Sequence, residues 1–277
     1  MNKHLICFDL DGTILNKDEK ISFLTSHIIS VLFKKGHYVV LNTGRPLKAV
    51  IPYIEKLNMF NYPIICNNGG CIFYVNRENR ITKTIYEKFD LKLVNSFLES
   101  CKTMLVYAAI YCLDKRYHYN ENNVPSFLYH SLDDSQIIAI NNFKIQEDIF
   151  MISLAVKKED RTLFENLLSK GRNKEMTSLY WGDDENYSYF DLQAPNTNKG
   201  FTMLKLADIL KINKEYIIAY GDEINDISML TYAKNGYLVL GEKSKELSEK
   251  YNVQVTKKDN NHDGVIWHLF ENHKELF

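Results

Sequence analysis

The chain has 277 residues, enough for one large domain or two domains of ordinary size. With 45% hydrophobic and 25% charged residues it has the composition of a folded soluble protein, which argues against a long disordered tail. Lysine and arginine (34) nearly balance aspartate and glutamate (35), so the net charge of −1 predicts no nucleic-acid partner and no anionic membrane surface.

The sequence also lacks the features of a membrane span or a secretory signal. Its longest apolar run, residues 104–113, is about half the roughly 20 residues that a bilayer-spanning helix needs. The first apolar run stops at Asp9, without the longer apolar region and small-residue cleavage site of a signal peptide. The five cysteines are odd in number and contain no C-x-x-C pair, which favours reduced, mostly buried thiols. We therefore expect a cytoplasmic protein.

The first part of the chain alternates apolar runs with helical patterns. Residues 4–8 read as a buried strand that breaks into a glycine turn. A helix is predicted over 21–35, where Gly36 is the C-terminal cap. A strand (37–41), a turn (42–46), a helix (48–57) and a third apolar run (63–66) follow. Such an alternation predicts a parallel α/β sheet.

The pattern changes near Lys83 and returns after Pro195. Between these points we predict longer strands at 105–113, 150–156 and 188–192 and helices at 90–102 and 160–170. Helices are then predicted at 200–210, 226–233, 244–251 and 264–273, and strands at 216–220, 237–240 and 253–256. The predicted fold is α/β, a doubly wound parallel-sheet (Rossmann-like) core from residues 1–82 and 193–277 with an inserted α+β domain, 83–192.

The most informative motif, Asp9-Leu10-Asp11-Gly12-Thr13, follows the first predicted strand. Residues i and i+2 of a strand point the same way, so the two carboxylates leave one sheet end together and repel each other unless a cation or a proton joins them. Oxygen ligands of this kind suit Mg²⁺. Ligands of open α/β sheets bind beyond the carboxyl ends of strands, where this pair is predicted to lie.

Three further motifs lie at strand ends or helix starts. Thr43-Gly44-Arg45 offers a hydroxyl and a glycine N–H to an anion, although alone it fits an ordinary turn. Lys199 would place an ammonium at a helix N-terminus, a favourable environment for a phosphate, although a lysine in such a position is usually an ordinary surface residue. In the segment 221–226, Asn225 and Asp226 could be helix caps, whereas Asp222 precedes the helix and adds a third carboxylate.

Taken in this order, D-x-D-G-T, T-G-R, K and G-D-x-x-N-D resemble the motifs of the haloacid dehalogenase superfamily of aspartate-nucleophile phosphatases. The large insert, the segment 64–70 (IICNNGG) and the segment 262–265 (HDGV) resemble its Cof-type sugar-phosphatase branch with a large α/β cap. The resemblance implies that Asp9 is the nucleophile and Asp11 the general acid and base. It implies a Mg²⁺ ion bound by Asp9, Asp222 and the Asp11 backbone carbonyl.

The resemblance also implies which groups hold the phosphoryl group and what the protein does. The phosphate-binding residues would be Thr43, Gly44, Lys199, Asn225 and the backbone N–H groups from Leu10 onward. Asp226 would orient Lys199 or a metal-bound water. The implied function is a Mg²⁺-dependent phosphatase that hydrolyses small phosphomonoesters, sugar phosphates or related metabolites, through an aspartyl phosphate. The only partner expected is that metabolite, and the expected state is a monomer or weak dimer.

The sequence leaves two alternatives open. A phosphomutase would share the core and the insert but return the phosphoryl group to the sugar. A non-catalytic phosphate-binding or signalling module would also use an aspartate, a threonine and a lysine, but such modules are shorter and lack the large insert. A dinucleotide-binding dehydrogenase is disfavoured because no G-x-G-x-x-G follows a predicted strand.

Overall fold

The computed structural model describes residues 2–120, 137–169 and 175–277. It divides into two compact units: unit 1 is Met1–Ile85 with Asn198–Phe277, and unit 2 is Tyr86–Thr197. The boundaries predicted from the sequence, at 82/83 and 192/193, stay a prediction. In the part of the chain that is described, no helix combines the length and the apolar character needed to cross a membrane.

Fourteen strands are present in the described residues. Unit 1 contains β1 (Leu5–Phe8), β2 (Tyr38–Leu41), β3 (Pro63–Cys66), β4 (Cys71–Val75), β5 (Ile81–Ile85), β12 (Ile217–Gly221), β13 (Asn235–Leu240) and β14 (Gln254–Asp259). Unit 2 contains β6 (Leu105–Tyr111), β7 (Arg116–Tyr119), β8 (Ile137–Ile140), β9 (Met151–Lys157), β10 (Thr177–Asp183) and β11 (Tyr187–Gln193).

Helices pack around both sets of strands. Those of unit 1 are α1 (Phe23–Lys34), α2 (Leu47–Leu57), α5 (Lys199–Leu210), α6 (Ile227–Tyr232), α7 (Ser244–Tyr251) and α8 (Gly264–Asn272), and those of unit 2 are α3 (Leu91–Ser100) and α4 (Arg161–Ser169). Helix α1 starts two residues later than predicted because the Ser22 hydroxyl caps it, accepting a hydrogen bond from the Thr25 N–H (2.9 Å). The predicted end of α4, Lys170, lies outside the described residues.

The main sheet of unit 1 is parallel, with strand order β14-β13-β12-β1-β2. Alternate residues of its central strands point to opposite faces. Cys7 and Ala219 share an apolar cluster with α5 and α6. On the other face, Phe8 and Tyr220 have their ring centroids 5.8 Å apart, and Tyr220 contacts His268 of α8. The predicted doubly wound core is confirmed.

The third apolar run of the sequence does not join the parallel sheet as a regular strand. It forms β3 of an antiparallel sheet, β3-β4-β5, and a bridge between Ile65 and Asn42 connects it to the end of β2. The turn that reverses the chain contains Asn67 and Asn68 at φ values of 54° and 52°. The βα alternation therefore ends at Cys71, earlier than the predicted change near Lys83.

Unit 2 is a six-stranded sheet in the order β10-β11-β9-β6-β7-β8, antiparallel except that β7 and β8 are parallel. Phe97 of α3 and Phe164 of α4 belong to the apolar cluster on one face of this sheet, together with Ile110 and Leu154. Tyr107, Ala109 and Tyr111 form a smaller cluster with β9 residues. The predicted α+β character of the insert is confirmed.

Candidate active site

Three strands of the main sheet end side by side. Phe8 of β1 is in register with Leu41 of β2 and with Tyr220 of β12. The backbone continues this pairing for one more residue, because the Asp9 N–H donates to the Tyr220 carbonyl (3.0 Å) and the Asn42 N–H donates to the Phe8 carbonyl (2.8 Å). The segments that carry the predicted site residues therefore start from one edge of the sheet.

Lys199 lies at the centre of the charged residues at this edge. Its ammonium is 2.6 Å from Asp9 Oδ1 and 2.6 Å from Asp226 Oδ1, and the lysine side chain is fully buried. Burial alone would lower its pKa, but the two carboxylates outweigh burial and raise it above the ordinary value. Lys199 is the first residue of α5, after the cap Asn198, whose side chain accepts from the Phe201 N–H (2.8 Å). This cap fixes the start of α5 and therefore the backbone position from which the Lys199 side chain extends.

Both carboxylate oxygens of Asp226 accept hydrogen bonds from other parts of the site. While Oδ1 contacts Lys199, Oδ2 accepts the backbone N–H groups of Asp222 (2.9 Å) and Glu223 (3.0 Å). Asp226 thus ties the turn after β12 to the start of α5. The role of orienting Lys199 stays a prediction.

The carboxylates of Asp9, Asp222 and Asp226 offer oxygen atoms that lie within 4.8 Å of one another. Burial, followed by the charge of the neighbouring carboxylates, raises the pKa of Asp222 to about 9. Burial likewise raises the pKa of Asp9 to about 8, although Lys199 acts against this shift. An all-oxygen donor set with excess negative charge fits a hard divalent cation such as Mg²⁺. Because both oxygens of Asp226 are engaged, Asp9 and Asp222 would hold it.

The turn after Asp9 leaves room for Asp222 only because residue 12 is glycine. Gly12 has φ +66°, and a Cβ built on it would lie 2.0 Å from Asp222 Oδ2. Thr13 completes the contact by donating its hydroxyl hydrogen to Asp222 Oδ1 (3.2 Å). The glycine of D-x-D-G-T therefore serves two purposes, a left-handed turn and close packing against a carboxylate.

Replacing Gly12 by alanine is expected to displace the Asp222 carboxylate. We expect the Mg²⁺ concentration for half-maximal activity to rise about tenfold or more, because one proposed ligand moves. Gly36→Ala is the matched control, since Gly36 has φ +84° but a Cβ there would meet only Lys3 Cε at 4.0 Å. Both variants carry the same kind of backbone strain. An equal Mg²⁺ requirement in the two would contradict the role assigned to Gly12.

The Asp11 carboxylate contacts a different cation, Arg45. Arg45 binds it through two hydrogen bonds, Nε to Oδ2 (2.8 Å) and Nη2 to Oδ1 (2.5 Å), and the Asp11 side chain is 52% exposed. Arg45 Nη2 also contacts Glu19 Oε2 at 3.1 Å. Sequence reasoning included Arg45 in the T-G-R motif but assigned it no role. The sequence did contain a clue to a role for Arg45, because it follows Thr43 and Gly44, two predicted phosphate ligands, in the same turn.

Comparison with known proteins identifies the family. The family model described as haloacid dehalogenase-like hydrolase matches residues 6–269. The chain belongs to this family. It is 25% identical over 238 residues to the 5-amino-6-(5-phospho-D-ribitylamino)uracil phosphatase YitU of Bacillus subtilis, covering 84% of this chain and 85% of that protein. The family resemblance in the motifs is thereby confirmed.

Solved structures of the family share the fold. A haloacid dehalogenase-like hydrolase from Bacteroides thetaiotaomicron superposes with a TM-score of 0.75 at 23% identity, over 98% of this chain and 99% of that one. A sugar phosphatase of subclass IIB of the family gives a TM-score of 0.75 at 19% identity, over 99% and 100% of the two chains. Both likenesses extend over the core and the insert.

The residues predicted to bind phosphate occupy the turns around this edge. Thr43 is buried, and its hydroxyl oxygen accepts the Arg45 N–H (3.1 Å). Asn225 donates its side-chain N–H to Asn68 Oδ1 (2.9 Å), and Leu10 begins the irregular turn that follows Asp9. Asn68 is a residue that sequence reasoning did not single out as functional. Their roles toward a phosphoryl group stay predictions.

Proposed function

We propose that this hydrolase is a Mg²⁺-dependent phosphatase that hydrolyses small phosphomonoesters through an aspartyl phosphate on Asp9. The observation that carries the proposal is the buried group of Asp9, Lys199 and Asp226 beside Asp222 at the end of β1. A carboxylate held by a lysine at the carboxyl end of a parallel strand is placed for attack on a bound phosphoryl group.

Asp9 would attack phosphorus in line and form the covalent intermediate. The Lys199 ammonium has three N–H donors. Two serve Asp9 and Asp226, and we assign the third to a phosphoryl oxygen, where it offsets negative charge in the transition state. Bound Mg²⁺ would supply further charge neutralisation and orient the phosphoryl group. Burial of these groups strengthens each electrostatic contact compared with the same contact in water.

In its protonated form Asp11 would give its proton to the leaving alkoxide, and the carboxylate that this step leaves would then take a proton from the attacking water. In the structure its carboxylate contacts Arg45. We infer that Asp11 reaches the leaving group by rotating from this exposed position, with Arg45 holding the carboxylate when it is not transferring a proton. One residue can then serve both half-reactions.

Sugar phosphates or related small phosphorylated metabolites are the proposed substrates. Support comes from two similar proteins, YitU, which is a phosphatase of a phosphoribityl compound, and the sugar phosphatase of subclass IIB. The substrates of both are phosphate esters of a polyol or a sugar.

The test is phosphate release from a panel of sugar, polyol, nucleoside and pyridoxal phosphates, measured with Mg²⁺ and after EDTA treatment and desalting. We expect release from some members, loss of activity with EDTA and recovery on adding Mg²⁺, because the buried carboxylates and a phosphate dianion repel each other without a cation. Product analysis separates the reaction classes: a phosphatase gives inorganic phosphate, whereas a phosphomutase gives an isomeric sugar phosphate. Undiminished release after EDTA would contradict the metal requirement.

A further inference from the structure

We propose that Asn68 is a positioning residue that holds two phosphate-binding segments of the site, Thr43-Gly44 and Asn225, in one arrangement. The inference rests on the proposed function. It assigns a purpose to the Asn67–Gly69 turn between β3 and β4, which belongs to the IICNNGG segment of the sequence.

The backbone of Asn68 is fixed against the turn that follows β2. Asn68 is buried, with φ 52°, and its N–H donates to the Thr43 carbonyl (3.1 Å). Asparagine is one of the few residues other than glycine that adopt this left-handed conformation readily. The conformation turns the chain back so that the side chain faces the neighbouring segments.

The side-chain oxygen of Asn68 lies between two predicted phosphate ligands. It accepts the Asn225 side-chain N–H at 2.9 Å, and it is 3.0 Å from the position that a Cβ on Gly44 would occupy. An amide nitrogen carries two hydrogens. Because one hydrogen of the Asn225 amide points to Asn68, the direction of its second amide hydrogen is fixed as well. We assign this second hydrogen to a phosphoryl oxygen.

The same turn packs against the start of α5, which carries Lys199. A Cβ on Gly69 would be 2.4 Å from the Asn198 carbonyl carbon and oxygen, and the Thr202 hydroxyl donates to the Gly69 carbonyl (2.7 Å). Gly69 itself has φ +93°. The turn therefore contacts the Thr43-Gly44 segment, Asn225 and the residue before Lys199. These segments are far apart in sequence, and Asn68 is the residue whose side chain links two of them.

The experiment removes the Asn68 side chain without straining the backbone. Asn68→Gly keeps the left-handed conformation, and Asn58→Gly is the matched control, because Asn58 has the same φ of 52° at the exposed end of α2. We expect Asn68→Gly to raise KM, and the dissociation constant of inorganic phosphate measured by calorimetry, about tenfold, as expected for loss of a buried hydrogen bond that orients a ligand. The control should match the wild type in both quantities.

A double-mutant cycle separates positioning from general destabilisation. If Asn68 acts through Asn225, the double variant of Asn68→Gly with Asn225→Ala should bind phosphate no more weakly than Asn225→Ala alone. Additive losses, or an Asn68→Gly variant equal to Asn58→Gly, would overturn the inference while leaving the phosphatase proposal intact. A wild-type protein that neither hydrolyses the panel nor binds phosphate would overturn the proposed function and this inference together.

Discussion

Asp9→Asn should reduce phosphate release by at least about 10³-fold with every substrate, because an amide cannot replace a carboxylate as the nucleophile. The asparagine retains a side-chain oxygen that can accept from Lys199, which contacts Asp9 Oδ1 at 2.6 Å in the wild type. The fold is therefore expected to survive. The measurement is acid quench with a ³²P-labelled ester, in which the wild type should carry label on the protein and the variant should carry none.

Asp226→Asn is the matched control for this prediction. Asp226 is as close to Lys199 as Asp9 is, at 2.6 Å, and it is fully buried. It differs in that its second oxygen is occupied by two backbone N–H groups. We expect the control to react slowly and still become labelled. Label on Asp9→Asn protein would mean that another group attacks phosphorus.

The core of the fold was predictable because its signals are local. Short apolar runs ending in glycine or polar turns mark β1, β2 and β12. The predicted starts of α1 and α5 were one or two residues off, because the caps Ser22 and Asn198 set them. Strands β4 and β5 were not predicted. Their direction depends on the turn at Asn67 and Asn68, where two successive asparagines take left-handed conformations, and no apolar pattern encodes this choice.

The candidate site was predictable as a set of segments, but its contacts were not. Lys199 and Asp9 are 190 positions apart in the chain, and only the strand order brings them to 2.6 Å. The catalytic and binding roles of these residues came from the resemblance to the family. The motifs alone were also consistent with ordinary turns and helix caps. Two features escaped sequence reasoning because they depend on side-chain direction: the pairing of Asp11 with Arg45 and the link from Asn68 to Asn225.

The Asp11→Asn variant is expected to separate substrates by their leaving groups. Asparagine keeps the backbone carbonyl that the family resemblance assigns to the metal and removes only the proton carrier. The leaving group of p-nitrophenyl phosphate has a pKa of about 7 and needs little protonation, whereas a sugar alkoxide needs a full proton transfer. Formation of the aspartyl phosphate should therefore survive with the aryl ester and fall by about 10² or more with a sugar phosphate. Water attack lacks its base with either ester, so the aryl ester should give a product burst and then a slow steady state.

A substitution of Arg45 provides the control for the Asp11→Asn variant. Replacing Asp11 also breaks its two hydrogen bonds to Arg45, and that loss could disturb the turn by itself. Arg45→Met breaks the same contacts but keeps the carboxylic acid, so it should change the burst by the same factor with aryl and sugar esters. Rapid-quench measurements on both variants compare the size of the burst with the aryl ester and with the sugar phosphate. If Asp11→Asn loses its burst equally with both esters, Asp11 is not the general acid, and its contact with Arg45 would mark a structural residue at the edge of the site.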